Sequence, residues 1–204
     1  PWEITSGLKT EVIGQQAYYF DSIESTQIQA LKMINDENKN GAIIVAAEQT
    51  GGKGRIGRKW ISPKGGLWFS IILYPKFDIS ITTLFPIASA LALSIAIEKT
   101  FEIRPELKWP NDLTIKGKKI AGMLVDVSLE SNKIESLVLG TGVNFDVNVK
   151  EIEKTLKKIP NFYGVASLSE QKKKIKPIKL IQSFLIELEK IYKSLENRQT
   201  GKII

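Results

Sequence analysis

The stretch Glu106-Leu-Lys-Trp-Pro-Asn-Asp-Leu-Thr-Ile-Lys-Gly-Lys-Lys-Ile-Ala-Gly-Met-Leu124 decides how this chain folds. Two short strand-like runs, Glu106 to Trp109 and Asp112 to Ile115, flank Pro110. The pair Lys116-Gly117 has turn chemistry and sends the chain back along Lys119 to Leu129. A second turn at Ser131-Asn132 returns it as Ile134 to Asn144. Strands joined by connections this short pair antiparallel, because a parallel pair needs a long crossover.

Outward from this core, Ala17-Tyr-Tyr-Phe20 reads as a short strand. Ala42-Ile-Ile-Val-Ala-Ala47 and Leu67-Trp-Phe-Ser-Ile-Ile-Leu73 are unbroken apolar runs of strand length, hence buried strands. A helix is predicted from a cap at Ser25 to about Asn35, with Ile28, Leu31 and Ile34 on one face. A second starts at Thr82 or Thr83 and aligns Leu84, Ile87, Leu91 and Ile95. A third spaces Ile178, Ile181, Leu185, Leu188, Tyr192 and Leu195 by threes and fours. So few turns indicate a stripe packed on a sheet rather than a coiled coil. The pattern is α+β, a mostly antiparallel mixed sheet with helices packed on one face, in a single domain spanning 1–204.

The chain of 204 residues has neither cysteine nor histidine. Disulfides, thiolate nucleophiles, Ser-His-Asp and Cys-His triads and histidine-based zinc sites are therefore excluded. Any chemistry must run on Lys, Arg, Asp, Glu, amides, hydroxyls and backbone N–H groups, the set that handles phosphate by positioning and charge. The net charge of +7 suits nucleic acid, anionic nucleotides or acidic proteins, and a solvated lysine-rich surface accounts for it equally well. The run Lys172-Lys-Lys-Ile-Lys176 is read in that last way, and no base-reading motif accompanies it. The most apolar segment, Leu84 to Ile97, is 14 residues long and holds Pro86, Ser89 and Ser94. A membrane span needs about 20, so it is a buried helix. Pro1-Trp2-Glu3 does not open a signal peptide, and a cytoplasmic protein is expected.

Gly51-Gly-Lys-Gly-Arg-Ile-Gly-Arg-Lys-Trp60 places four glycines and four cations between two strands. Glycines let backbone N–H groups turn inward around an anion, and interleaved Lys and Arg supply charge-assisted bonds to phosphate oxygens. The spacing is not that of a Walker loop. The segment reads as a phosphate-binding loop anchored by Trp60. Ser25 and Thr26 can cap a helix or face a ligand, and Pro110-Asn-Asp112 can be a turn or supply a metal ligand; the residues alone leave both open.

Glu48 to Gly65, Lys108-Trp-Pro-Asn-Asp112 followed by Lys119-Ile-Ala-Gly-Met-Leu124, Ser25-Thr-Gln27 and Gly140-Thr-Gly-Val-Asn144 together resemble the biotin protein ligases. Their signatures read GRGRxGRxWxSPxG, KWPNDxxxxxxKxxGxL, STN and GxGxN. The resemblance implies the fold of the class II aminoacyl-tRNA synthetases and biotin ligases. It implies an adenylate-forming ligase that converts biotin and ATP to biotinyl-5′-AMP, then biotinylates a lysine of a biotin carboxyl carrier domain. By the same resemblance, Lys119, Arg55 and Lys108 are the catalytic cations. Ser25, Thr26, Gln27, Gln49, Gly52, Lys53, Gly54, Arg55, Lys119 and Gly122 hold biotin. Arg55, Arg58, Trp60, Lys108, Asn111 and Asn144 hold the nucleotide, and Asp112 holds Mg²⁺. The acceptor is expected to be acidic around its lysine, matching a basic ligase.

Three positions depart from the family pattern. Lys53 stands where Arg is usual, losing a bidentate fork; Gln27 replaces Asn; Asp126 replaces Glu. Only 24 residues precede Ser25, too few for the winged helix-turn-helix of repressor members, so sequence-specific DNA binding is not expected. The C-terminal β-barrel of most members is expected to be absent or truncated. A homodimer is expected because many relatives pair through sheet edges. Lipoate and octanoate ligases share the fold but usually show Arg-Arg-x-x-Gly-Gly-Gly with a nearby His-Asp, and this chain has no histidine.

Overall fold

The computed structural model describes residues 2–36, 39–157, 163–171 and 175–197. The lysine-rich run at 172–174 and the 201–204 end fall outside the described residues. Strands β1 (Ala17–Ile23), β2 (Ile43–Gln49), β3 (Leu67–Leu73), β4 (Glu106–Lys108), β5 (Asp112–Ile115), β6 (Lys118–Glu130) and β7 (Lys133–Val143) form one sheet in the order β1-β2-β3-β7-β6-β5-β4. All neighbours are antiparallel except β1 and β2. That parallel pair is bridged by helix α2 (Thr26–Met33), the crossover such a pair requires. The two turns read from the sequence are two-residue connections with positive φ throughout: 50° and 72° at Lys116 and Gly117, 47° and 65° at Ser131 and Asn132. This is the turn geometry whose twist matches that of paired strands.

The sheet's two faces carry different jobs. On one face Ile43, Val45, Phe69, Ile71, Met123 and Leu139 form the main core with helices α3 (Phe85–Phe101) and α5 (Pro177–Glu196). On the other, Ile44, Ile72 and Val138 lie under Ala30 of α2, while Trp68 packs with Val147, Val165 and Ile152 of helix α4 (Val149–Leu156). A short N-terminal turn of helix, α1 (Trp2–Thr5), touches α5. The two long helices share one face, but α2 and α4 cover the ends of the opposite one, so the helices do not all pack on a single face as the sequence pattern led one to expect.

Two helix faces differ from the sequence expectation. In α3 the buried residues include Phe85, Ala88, Ser89, Ala90, Ala92, Leu93, Ala96 and Ile97, whereas Leu84 is exposed and Ile87, Leu91 and Ile95 are only partly covered. The helix is apolar on every side, so periodicity could not select the inner face. The small residues mark it, because they allow close approach to β6 and α5. In α2 the buried positions are Thr26, Gln27 and Ala30, and Leu31 is exposed. The inward side of this helix serves a polar centre through Thr26 and Gln27 and the smaller apolar cluster through Ala30. The chain enters α3 through a tight turn at Ile79–Thr83 capped by Asp78, whose carboxylate accepts the Ser80 N–H at 2.9 Å. The α5 stripe is buried at Ile181, Leu185, Leu188, Tyr192 and Leu195, against α3.

The chain's beginning is tied to α5 by Glu189. Its buried carboxylate accepts the N–H groups of Glu11, Val12 and Ile13 at 2.7, 2.9 and 2.8 Å. Burial alone would raise its pKa, but these three donors and Lys193 outweigh it and hold the group below the usual glutamate value. A depressed folded-state pKa stabilises fully above the unfolded value and is lost as pH falls through the folded one. Glu189→Gln should therefore cost about 1.5–3 kcal/mol near neutral pH. In denaturant titrations the gap from the parent protein should narrow as the pH falls below the carboxylate range. A gap independent of pH would show that the charge is not what holds the segment.

Candidate functional site

Between the two apolar ends of the second face, the strands carry almost no side chains. Register sets Ser70 opposite Gly140, Leu124 opposite Gly140, and Gly142 between Trp68 and Gly122. Period-two alternation puts all of these on one face. A Cβ on Gly140 would lie 2.5 Å from Gln27 Oε1, and one on Gly142 would lie 2.6 Å from Trp60 Nε1. One on Gly122 would meet Asp112 Oδ1 and Trp60 at 3.0 Å. The missing side chains open a cavity of about 400 Å³, within the range of small-molecule sites.

One end of the cavity is polar and uncharged. The Thr26 N–H donates to Gln49 Oε1 at 2.8 Å, and Gln49 Nε2 donates to Ser62 Oγ at 2.8 Å. Ser25 occupies the N-cap position of α2 with extended backbone (φ −161°, ψ 133°), yet its side chain makes no capping bond. Its buried hydroxyl has no hydrogen-bond partner in the protein. Of the two roles the sequence left open, the geometry takes this hydroxyl away from capping and leaves it available to a ligand.

The other end is cationic. The loop after β2 closes as a hairpin in which Lys53 and Lys59 bridge, the Gly54 N–H donates to Arg58 O at 2.7 Å and the Trp60 N–H donates to Gly52 O at 2.9 Å. Arg55 at its tip donates through Nη1 to Asn111 Oδ1 at 3.0 Å. Asn111 is itself fixed by its amide donating to Met123 O at 2.6 Å. Trp60 lies on Gly142, edge-on to Trp68 at 6.4 Å between ring centroids. Its Nε1 is buried without a partner.

The two ends meet at an ion pair. Lys119 Nζ lies 2.6 Å from Asp112 Oδ2, with side chains 25% and 18% exposed. In an ideal strand Lys119 and Gly122 would face opposite sides of the sheet. A bulge in the β5–β6 pairing corrects this: the partner of Leu113 is Ala121 and that of Thr114 is Lys119, leaving Ile120 over. The bulge re-aims Lys119 onto the face of Asp112 and Gly122. Burial pushes the Lys119 ammonium below the usual lysine range, with Arg58 and Lys108 adding like-charge repulsion, while Asp112 opposes the shift. Asp112 Oδ1 is buried and unpartnered.

Tyr163 carries no sequence signal and is part of this centre. Its phenol donates to Asp112 Oδ2 at 2.9 Å, and Lys108 Nζ sits 2.9 Å from its ring centroid. Burial, then the Asp112 charge, pushes the phenol well above its ordinary pKa, so it stays a proton donor. The segment is seated by Lys119, whose N–H donates to Gly164 O and whose carbonyl accepts the Ala166 N–H. Ser70 was likewise missed, being hidden in an apolar run.

The structure gathers Ser25, Thr26, Gln27 and Gln49 at the neutral end; Lys53, Gly54, Arg55, Arg58 and Trp60 on the loop; and Lys108, Asn111, Asp112, Lys119 and Gly122 between them. Two expected residues stand outside the cavity wall. Gly52 packs under the loop, where a Cβ would strike Trp60 O at 2.5 Å. Asn144 is buried behind the site with its amide donating to Lys119 O at 3.2 Å.

Residues 19–144 match the model of the biotin/lipoate A/B protein ligase family. The chain is 37% identical over 193 residues to the bifunctional ligase/repressor BirA of Bacillus subtilis, covering 94% of this chain and 58% of that protein. It thus spans little more than half the length of that relative. It is 32% identical over 123 residues to the biotin–[acetyl-CoA-carboxylase] ligase of Paracoccus denitrificans, covering 59% of this chain and 51% of that one. Among solved structures, it superposes on the Aquifex aeolicus biotin protein ligase in complex with biotin and ATP with a TM-score of 0.75 at 29% identity, covering 93% of this chain and 77% of that one.

The seating of Trp60 on a bare strand is testable without any ligand. Gly142→Ala places a methyl into the indole and should unseat it, at a cost of about 1–3 kcal/mol. Tryptophan emission should shift to longer wavelength. An unchanged spectrum at unchanged stability would mean that Trp60 does not rest there.

Proposed function

The chain belongs to the biotin/lipoate A/B protein ligase family, and we propose that it works within that family as a biotin protein ligase. The observation that carries this reading is the placement of one partly buried ion pair, Lys119–Asp112, between a neutral pocket of hydroxyls and amides and a loop of fixed cations. A cyclic urea needs just such small neutral partners, and a triphosphate needs the cations.

In this reading the biotin bicycle lies toward Ser25, Thr26 and Gln49, with Gln27 behind them, and its carboxylate points to Lys119. Gly54 and Lys53 pass over its tail, while Gly52 and Gly122 let backbone approach closely. ATP lies along Arg55, Arg58 and Lys108, beside Trp60 and Asn111, with Asn144 acting from behind Lys119. Carboxylate and α-phosphate repel each other, and Lys119 offsets the charge that builds as the carboxylate oxygen bonds to phosphorus and pyrophosphate leaves. Arg55, held by Asn111, closes the loop over the acyl-adenylate. In the second step an acceptor lysine attacks the acyl carbon, AMP leaves and the amine loses its proton.

A magnesium ion fits the chemistry at Asp112, whose Oδ1 is buried with no partner. Among the described residues no group of three or more His, Cys, Asp or Glu could hold a metal unaided. A single carboxylate plus phosphate oxygens and water is the usual way this hard cation binds. Bound there, it would neutralise phosphate charge.

The acceptor in this reading is the biotin carboxyl carrier domain of a biotin-dependent carboxylase. Acidic surroundings of its lysine would complement a chain of charge +7. No described helix is long and apolar enough to cross a membrane, and the reading includes a cytoplasmic homodimer.

Biotin-dependent exchange of pyrophosphate into ATP tests the proposal, with lipoate and octanoate measured alongside. Exchange is expected with biotin alone, and Lys119→Ala should lower its rate by at least about 100-fold. Exchange with lipoate instead, or near-normal exchange in the variant, would overturn it.

A further inference from the structure

Asp126 does not line the cavity, yet it heads a line of hydrogen bonds that crosses the neutral end. Gln27 Nε2 donates to Asp126 Oδ2 at 3.0 Å and to Val138 O at 3.1 Å. Both partners can only accept, so the Gln27 amide has one permitted orientation. Its Oε1 then accepts the Ser70 hydroxyl at 2.9 Å, which commits the Ser70 proton. Thr26 Oγ1 stands 2.9 Å from Ser70 Oγ and 3.1 Å from Gln49 Oε1. With the Ser70 proton already placed, each of these contacts calls for the one proton of Thr26. The Gln49 amide is equally fixed, because its Oε1 accepts the Thr26 N–H and its Nε2 serves Ser62, which donates on to Trp60 O at 3.2 Å.

The Gln27, Ser70 and Gln49 orientations are thereby set, and Thr26 Oγ1 donates to one or other of its two protein acceptors while accepting from none of these partners. It offers the cavity a lone pair. Beside it the Ser25 hydroxyl is buried without a partner and free to donate. An acceptor next to a donor is complementary to an N–H beside a carbonyl, which a cyclic urea supplies and a dithiolane ring does not.

We propose that Asp126 and Gln27 form a positioning pair that fixes the donor–acceptor polarity of the acid-binding pocket, and so selects a ligand with a ring N–H. The proposal rests on the biotin ligase reading and names the specificity device within it. The pair is the anionic end of the line. Asp126→Asn replaces an acceptor-only group by one that can also donate, which leaves Val138 O alone to oppose the flip of the Gln27 amide that would release the Ser70 proton. Length is the second requirement: Gln27 and Asp126 are the long and short members of an amide–carboxylate contact, and shortening the amide alone breaks it.

Calorimetric titration with biotin, and with two cyclic carbamate analogues that each replace one ureido N–H by oxygen, provides the test. The unsubstituted protein should bind biotin roughly 1000-fold more tightly than the poorer analogue, because that analogue leaves a buried acceptor unpaired. Asp126→Asn should weaken biotin about tenfold or more and shrink that ratio; a merely structural defect would weaken all three ligands alike. Gln27→Asn should weaken biotin too. Combining Gln27→Asn with Asp126→Glu moves one methylene across the contact, and this double variant should recover most of the loss. An unchanged ratio in Asp126→Asn, or a double variant no better than the weaker single one, would overturn the proposal. Biotin binding without pyrophosphate exchange would instead overturn the adenylation reading and leave these ratios to be judged on their own; absence of biotin binding would overturn both.

Discussion

Two opposite charges, Lys119 and Asp112, are held 2.6 Å apart at a largely buried point, and the site is arranged around keeping them there. Removing charges from water costs several kcal/mol apiece unless the geometry and the remaining hydrogen bonds compensate. Here the compensation is spread over distant pieces of chain. The bulge that sets Ile120 aside turns the lysine to the correct face, and Tyr163 donates to the shared carboxylate oxygen. Asn144 fixes the lysine's own carbonyl from behind. What remains unsatisfied is Asp112 Oδ1, which is buried without a partner.

Around this point the sheet has been emptied. Gly122, Gly140 and Gly142 stand where a sheet would ordinarily carry side chains, and each is crossed closely by a group that builds the wall. The cavity gains two chemically different ends because α2 covers one with amides and hydroxyls while the hairpin after β2 covers the other with cations. Rigidity comes from the opposite face, where α3 and α5 bury the apolar side of the same strands. The strand register that builds the core therefore also places the site.

Much of this was legible in the residues. The turns at Lys116-Gly117 and Ser131-Asn132, the seven strands and the cation-glycine loop follow from local chemistry and spacing. The motif residues carried the resemblance that the family match later supported. What was not legible depends on register and packing. No spacing rule reveals that Ile120 is an extra residue, so Lys119 and Gly122 could not be put on one face from alternation alone. Ser70 is hidden within Leu67–Leu73, and Tyr163 gains meaning only because residues 164–166 pair beside Lys119. Gln27 and Asp126 stand 99 residues apart, and the two substitutions noted separately in the sequence prove to be one contact. The inner face of α3 was misread because a helix apolar all round carries no directional signal.

The central claim is that one continuous cavity holds an acid at its neutral end and a nucleotide at its cationic end, joined at Lys119. A crystal structure with a non-hydrolysable biotinyl-adenylate mimic, such as a sulfamoyl-linked one, tests this most directly. The account predicts the ureido ring within hydrogen-bond distance of Ser25 and Thr26, the linker against Lys119 and the nucleotide beneath Arg55 and Arg58. A mimic bound with its ring away from Thr26, or with its linker out of reach of Lys119, would contradict it.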